Sequence, residues 1–451
     1  MTDTISAIAT ATGNAALGII RISGPDAKAV LRRIVPGATA HRFPRKIRYG
    51  KAVDVDTGTL IDDVLCFYSP GPNTATGEDT AEIHGHGGML VLNRLLQQTF
   101  NAGARLAEPG EFTRRAYTNG RMDLTQAEAV MALIGAKSER AAQTAARQLN
   151  GSIGRELAAE YEQVTTIAAA LETCLDFPDE DLPDEQNAEF VSQLDDVCEK
   201  LTHAVQSYRM GQLLTKGAKV VIAGPSNAGK SSLLNALIRE DKALVDSVPG
   251  TTRDIVEASY EIDGIPITFL DTAGLRFGAQ KVEQMGMAKS KQAIDTADLI
   301  LIVLDGAEEL EIQSDIQQIL DANAGRTVIV LNKSDKATFS AKRFSFIDQP
   351  VVSISVQKHH NLEALQHQMR NYLVSEQVSP DLILTTARQL NAVETALTHT
   401  KTAMRTLAEN GEPELAAADI RWAREALAGL WGKHAMTDVI DTIFSSFCLG
   451  K

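Results

Sequence analysis

The sequence predicts a multidomain α/β plus all-α protein: an N-terminal α/β domain, a central helical domain, and a P-loop α/β domain inserted into the helices. Three observations lead there. An apolar run at 220–223 enters a glycine-rich phosphate loop that opens a helix. Two blocks rich in helix formers, 124–214 and 388–447, flank that region, and neither has enough partners to pack alone. Residues 1–120 read instead as short strands and turns with a few helices. The expected divisions are 1–120, 121–216, 217–376 and 377–451, and the chain of 451 residues is long enough for roughly three domains.

In the first division, 18–23 is a strand and Pro25 starts a helix to 34. Residues 48–54 and 60–68 are strands around Asp56-Thr57-Gly58, a hairpin signal. Residues 70–79 form a turn-rich loop, too polar for a core and long enough for a site. A strand at 81–88 and a helix at 89–101 follow. His84 and His86 share a face of that strand, which leaves two readings: metal ligands lacking a nearby third, or ordinary packing and hydrogen bonding.

From 124 to 176 the composition is helical, interrupted at Gly151-Ser152-Ile153-Gly154. Thr125 is the expected N-cap, with Glu128 as its capping-box partner. An acidic linker at 177–184 leads to a helix at 187–214, and 388–410, 413–432 and 437–447 are the later helices. The two blocks are expected to pack together, so that movement in the insert passes to helices at its entry and exit.

Within the insert, Gly224-Pro225-Ser226-Asn227-Ala228-Gly229-Lys230-Ser231 fits G-x-x-x-x-G-K-[ST] in its strand-to-helix context. Backbone N–H groups there converge on phosphate oxygens, Lys230 neutralises β/γ charge, and the Ser231 hydroxyl reaches Mg²⁺. Contacts to a nucleoside triphosphate are expected from Asn227, Ala228, Gly229, Lys230, Ser231 and Ser232. The polar stretch Asp246, Ser247, Val248, Pro249, Gly250, Thr251 and Thr252 is the natural switch loop, or else a solvated loop. By its match to a translation-factor-like G-T-T-R-D pattern, Thr252 is the residue that closes the Mg²⁺ shell. A hairpin at 255–262 and 265–270 delivers Asp271, Thr272, Ala273 and Gly274, where Asp271 holds a Mg²⁺-bound water and the Gly274 N–H meets the γ-phosphate. A strand at 327–331 delivers Asn332, Lys333 and Asp335, whose carboxylate accepts from guanine N1–H and its amine, a donor pair adenine lacks. Strands at 299–304 and 351–354 complete a mostly parallel sheet. Ser355 opens the base-supporting loop, which reads Ser-Val-Gln where Ser-Ala-Lys is usual.

Leu275 stands where Ras-like enzymes place a water-orienting Gln, so another group must hold the water. Glu283 is the first carboxylate of the following segment. The Asn227 side-chain carbonyl is able to coordinate a monovalent cation where other GTPases insert an arginine, and K⁺ would then supply the charge.

Hydrophobic content of 44% and 23% charged residues are ordinary for a globular chain. No apolar run approaches about 18 residues and no basic-then-apolar leader opens the sequence, so no membrane span and a cytoplasmic location are expected. Four scattered cysteines lack metal spacing. A net charge of −14 excludes gripping nucleic acid through the overall field. RNA contact falls to local patches such as Arg42, Arg45, Lys46 and Arg48, or Arg114 and Arg115, each of which is more often just a solvated face.

The P-loop, Gly250-Thr251-Thr252-Arg253-Asp254, Asp271-Thr272-Ala273-Gly274-Leu275-Arg276, Thr76-Gly77-Glu78-Asp79 and the ending Phe447-Cys448-Leu449-Gly450-Lys451 together resemble the tRNA-modifying GTPases of the MnmE (TrmE) type, over essentially the whole chain. The resemblance implies a Ras-like GTPase domain with K⁺ held by Asn227, Asp246, Val248 and Thr251, Mg²⁺ by Ser231 and Thr252, and Glu283 orienting the water. It implies an N-terminal domain that dimerises and binds formyl- or methylene-tetrahydrofolate through Arg21, Glu78 and Arg121, with Lys451 reaching in from the far terminus. Arg121 stands where other members carry Lys, so the contact geometry differs. Partners implied are a second copy, tRNA, and an FAD-dependent protein of the MnmG (GidA) type in a heterotetramer. Together they place an aminomethyl-derived (carboxymethylaminomethyl) group on carbon five of the wobble uridine. Cys448 is either a thiol for one-carbon chemistry or a small residue anchoring the tail. The rival reading is a non-modifying GTPase switch in ribosome assembly, with which the acidic balance and the Cys-Leu-Gly-Lys tail do not fit.

Overall fold

The structure is a computed structural model that describes residues 3–11, 13–37, 45–176, 184–245, 260–271, 293–308, 314–344, 348–374, 379–409, 413–433, 437–445, 447 and 450. It divides into two compact units: Met1–Met131 with Gln148–Gly154 and Arg424–Lys451, and Ala132–Arg147 with Arg155–Ala423. The fold is the multidomain α/β plus all-α class that the sequence predicts.

The first unit is built on a six-stranded sheet. Its strands are β1 (Ile5–Ile8), β2 (Ala15–Ser23), β3 (Arg48–Val53), β4 (Leu60–Ser69), β5 (Thr80–Gly87) and β6 (Arg105–Leu106), in the spatial order β3-β4-β5-β2-β1-β6. Alternation decides which side is core. Ile20, Ile22, Val64, Cys66, Ala81 and Ile83 point to one face and are covered by Val30 and Leu31 of helix Ala27–Ile34 and by Leu92 and Leu95 of helix Met89–Asn101. The alternate residues Leu17, Tyr49 and Leu65 remain exposed on the other face.

The same unit holds the start of the helical region. Helix Leu124–Ile134 is capped by Asp123 and Gln126: Gln126 N–H donates to the Asp123 carboxylate at 2.9 Å, and Asp123 N–H donates to Gln126 Oε1 at 2.9 Å. This corrects the expected Thr125 and Glu128 pair; Thr125 lies inside the first turn, buried, with its hydroxyl on Asp123. Phe444 of helix Thr437–Ser445 and Phe447 pack on Leu124 and Ala127, which ties the C-terminal helix into this unit.

The second unit holds the other sheet: β7 (Ala218–Ala223), β8 (Tyr260–Ile262), β9 (Ile265–Asp271), β10 (Leu299–Asp305), β11 (Thr327–Asn332) and β12 (Val351–Ser353), ordered β12-β11-β10-β7-β9-β8. All neighbours are parallel except β8 with β9. Strands such as β10 are buried on both faces, which is why they read as continuous apolar runs. Leu233 and Leu237 of helix Lys230–Val245 and Leu365 and Met369 of helix Leu362–Leu373 cover one face. Ile316 and Leu320 of helix Ser314–Ala322 cover the other.

The helices before and after this sheet do meet. Gln212 Nε2 donates to the Thr385 carbonyl at 2.7 Å, and Leu384 N–H donates to the fully buried Ser207 hydroxyl at 3.0 Å, joining helix Asp184–Lys216 to the segment entering helix Ala387–Glu409. The sheet is therefore an insertion between helices that close on each other. A third attachment lies at the β8–β9 turn: Ser138 Oγ donates to the Gly264 carbonyl at 2.5 Å, and Arg140 donates to the Asp263 carbonyl at 3.1 Å.

Candidate functional site

The phosphate loop follows β7 and ends in helix Lys230–Val245, so the first N–H groups of that helix point into the loop. Lys230 Nζ donates to the Gly224 and Pro225 carbonyls at 2.8 and 2.7 Å. Asn227 has a left-handed backbone, φ +63°, a conformation asparagine tolerates better than most side chains. That gives the loop its own conformational reason for Asn at this position.

Behind the loop stands Asn332, 4% exposed at the end of β11. Its Nδ2 donates to the Ala228 carbonyl at 2.9 Å, and its Oδ1 accepts from Lys333 N–H at 2.8 Å and Val356 N–H at 3.2 Å. One amide thus clamps the phosphate loop, its own loop and the loop after β12. Gly229 is obligatory beneath it: with φ +97°, a Cβ there would lie 2.2 Å from Asn332 Nδ2.

Asp335 is fixed from the same side. The buried Ser355 hydroxyl donates to its carboxylate at 2.5 Å, and that hydrogen bond holds the Asp335 carboxyl below its ordinary value. Ser355, expected as a nucleotide contact, acts in this structure on Asp335. Asn227, Gly229, Ser232, Asn332, Lys333 and Asp335 line one cavity of about 670 Å³ with Asn235, Lys336, Gln357 and His359. Gln357 ends the Ser-Val-Gln loop, whereas Asn235, Lys336 and His359 carried no motif and were not singled out from the sequence. A groove of about 750 Å³ between helices Asp184–Lys216 and Ala387–Glu409 is larger, but none of the motif residues lines it.

Asp246, Ser247, Val248, Pro249, Gly250, Thr251, Thr252, Thr272, Ala273, Gly274 and Glu283 lie outside the described residues, as does the side chain of Asp271. So do Cys448 and Lys451. Of the other cysteines, Cys66 and Cys198 are buried; burial pushes both thiols up, Cys198 to about 11, so neither is activated.

In the first unit, Arg21 on β2 pairs with Glu82 of β5, its register partner, at 3.0 Å, and its guanidinium lies 5.9 Å from the Phe112 ring centre. Glu78 accepts from the Ser23 hydroxyl at 2.8 Å and from Arg115 at 3.1 Å. The Arg121 stem passes Gly77, where a Cβ would stand 3.3 Å from its Cγ. Ser23 and Gly77 thereby bring Arg21, Glu78 and Arg121 to one corner of the sheet. Gly450 lies against the end of β1: a Cβ there would stand 2.2 Å from the carbonyl oxygen of Ile8, which pairs with Ile20 of β2.

Arg115 is not a solvated basic patch. Its side chain is fully buried and donates to Glu111 and to the Asp3 carboxylate at 2.9 Å, to the Asp3 carbonyl at 2.9 Å, and to Glu78. Arg114 pairs with Asp441 at 2.8 Å. His84 pairs with Glu82 and His86 with Asp62, each histidine on a different carboxylate. Among the described residues no cluster of three metal-ligating side chains occurs.

The family described as "GTP-binding protein TrmE N-terminus" matches residues 4–121, and the "MnmE helical domain" matches 124–448. A tRNA modification GTPase MnmE of Natranaerobius thermophilus is 36% identical over 458 residues, spanning 100% of this chain and 99% of that one. The chain belongs to the MnmE (TrmE) family. The MnmE of Lactobacillus delbrueckii subsp. bulgaricus is 37% identical over 455 residues, again across 100% of this chain and 98% of its own. Among solved structures, the G domain of the T. maritima FeoB iron transporter is similar over 35% of this chain and 99% of its own, at 22% identity and a TM-score of 0.27.

Proposed function

We propose that this chain is a K⁺-dependent GTP hydrolase that acts on tRNA, modifying carbon five of the wobble uridine together with an FAD-dependent partner. The observation that carries the reading is the base clamp. Asp335, held by Ser355, shares one cavity with the phosphate loop, in a chain similar along its whole length to tRNA modification GTPases.

Asn227 lines that cavity, which suits a cation ligand beside the phosphates, with Asp246, Val248 and Thr251 completing the set. Ser231 is exposed at the first turn of its helix, in reach of a phosphate-bound Mg²⁺, with Thr252 as the second ligand. When bound, K⁺ supplies positive charge to the developing phosphoryl oxygens. Glu283 orients the attacking water. The corner at Arg21, Glu78 and Arg121 offers two cationic groups and a carboxylate to a folate, and Gly450 lies against β1, the strand beside β2. Exposed Tyr49, Leu65 and Leu17 on the uncovered sheet face suit a homodimer contact, and an MnmG-type protein would complete a heterotetramer. Domain limits at 1–120, 121–216, 217–376 and 377–451 remain our division. Among the described residues no helix is long and apolar enough to cross a membrane.

Nucleoside analysis of tRNA from cells lacking the protein tests the reading: unmodified wobble uridine is expected, and normal tRNA with stalled ribosomal subunits would instead establish an assembly switch. GTP turnover should be much faster in K⁺ than in Na⁺; equal rates remove Asn227 from its role. Glu283→Ala should cut turnover by roughly 10²-fold with GTP affinity unchanged, and normal turnover would assign the water to another group.

A further inference from the structure

The N-K-S-D loop carries three recognition side chains, and each is held by a residue outside the loop. Asn332 is held by the Ala228 carbonyl and Val356 N–H, and Asp335 by Ser355. Lys333 is held by Asp305, whose Oδ2 lies 2.5 Å from Nζ. Asp305 belongs to no nucleotide motif. It ends β10 directly beside Asn332 in the parallel register, it is 6% exposed, and its other oxygen accepts from Ala307 N–H at 3.0 Å.

Such placement of a carboxylate needs a reason, because burying a charge is costly unless it is paired. Burial opposes ionisation of Asp305, and the hydrogen bonds from Lys333 and Ala307 overcome it, so the carboxyl sits below its ordinary value. Lys333 also has a left-handed backbone, φ +66°, which sends its side chain away from the regular strand direction. Lys333, with Nζ tied to the end of β10, lines the same cavity as Asp335 and Asn227. A lysine anchored at its charged end presents an apolar stem, the surface a planar purine needs against its ring face.

We propose that Asp305 is a positioning residue for guanine nucleotides: it pins Lys333 so that the lysine stem forms one wall of the base site. This deepens the GTP-binding reading and rests on it. Freed from Asp305, the stem regains rotamers that bound nucleotide must freeze again, a loss of affinity of about 5- to 30-fold.

The test uses the full-length protein and measures dissociation constants for GDP and IDP. IDP lacks the exocyclic amine that Asp335 reads, so wild type should prefer GDP; no such preference would sink the guanine reading itself. Asp305→Asn keeps an oxygen for Ala307 N–H and drops the charge. It should weaken GDP and IDP by the same factor in the 5- to 30-fold range, mostly through faster release, with the GDP to IDP ratio unchanged. Lys333→Met, which keeps a stem but cannot be tethered, should show the same loss without altering Asp305, and this variant decides the matter should Asp305→Asn fold poorly. The double variant should be no worse than either single. Wild-type affinity in Asp305→Asn or Lys333→Met, losses that multiply in the double variant, or a loss confined to GDP would overturn the proposal. The last result would mean that Asp305 merely supports the loop carrying Asp335.

Discussion

Replacing Arg115 with methionine should be among the most damaging single changes in the N-terminal unit. The guanidinium is fully buried and joins two places distant in sequence, Asp3 and Glu78 in the loop before β5, to Glu111 four residues earlier on its own helix. Removing one partner of a buried charge network typically costs about 3–5 kcal/mol, because the remaining charges stay buried unpaired. Arg105 also grips Glu111, leaving that carboxylate a partner, whereas Glu78 would keep only the Ser23 hydroxyl among these contacts. The lower end, about 3 kcal/mol, is therefore expected, or a fall in Tm of about 6–12 °C for a domain of this size. Acid should erase the difference. Burial opposes ionisation of Glu111 and of Asp3, and hydrogen bonds from Arg105 and Arg115 overcome it, so both carboxyls titrate below their ordinary values of 4.5 and 3.8. Groups with depressed folded values stabilise the fold above those ordinary values and lose that contribution as pH falls through the folded ones. Melts of wild type and Arg115→Met by circular dichroism should thus be well separated at pH 7 and converge as pH drops below about 4. A separation under about 1 kcal/mol at pH 7, or one that persists unchanged in acid, would show that the network does not hold this unit together.

Two glycine substitutions probe the two sites separately. Gly229→Ala combines φ +97° with a Cβ 2.2 Å from the buried Asn332 amide, so GDP affinity by calorimetry should fall on the order of 10- to 100-fold; near-normal binding would mean that the Asn332 clamp is dispensable. Gly450→Ala, at φ +90° against the Ile8 carbonyl, carries strain above roughly 1 kcal/mol and should lift the tail from β1. Wobble-uridine modification should then drop while GTP turnover stays within about twofold, and unimpaired modification would remove the tail from the N-terminal site.

What the sequence made legible was local. The run into the phosphate loop, the hairpin at Asp263-Gly264 and the buried strand ending in Asn332 each declare themselves within ten or so residues through β-branched runs, glycine and polar punctuation. The cap of helix Leu124–Ile134 shows where that limit lies. Asp123-x-x-Gln126 and Thr125-x-x-Glu128 both satisfy the capping-box pattern, and local sequence gives no preference. The choice is made by burial: Leu124 is inaccessible and its N–H points to the Trp431 carbonyl at 3.3 Å, so the helix must already have begun at that residue. Arg115 misled for a related reason. Adjacent arginines in an acidic protein resemble a surface patch, and only the folded positions of Asp3 and Glu78 convert one of them into an interior cation. Asp305 follows the same logic, since nothing in Leu-Ile-Val-Leu-Asp distinguishes a strand-ending carboxylate from a lysine tether until parallel register sets it beside Asn332. For Lys333 the motif supplies the side chain, while the carboxylate that holds it comes from the neighbouring strand. A change that spares every motif residue can therefore still disable this protein, and Asp305→Asn is the sharpest such change because it preserves size, position and one hydrogen bond while removing only the charge that aims Lys333.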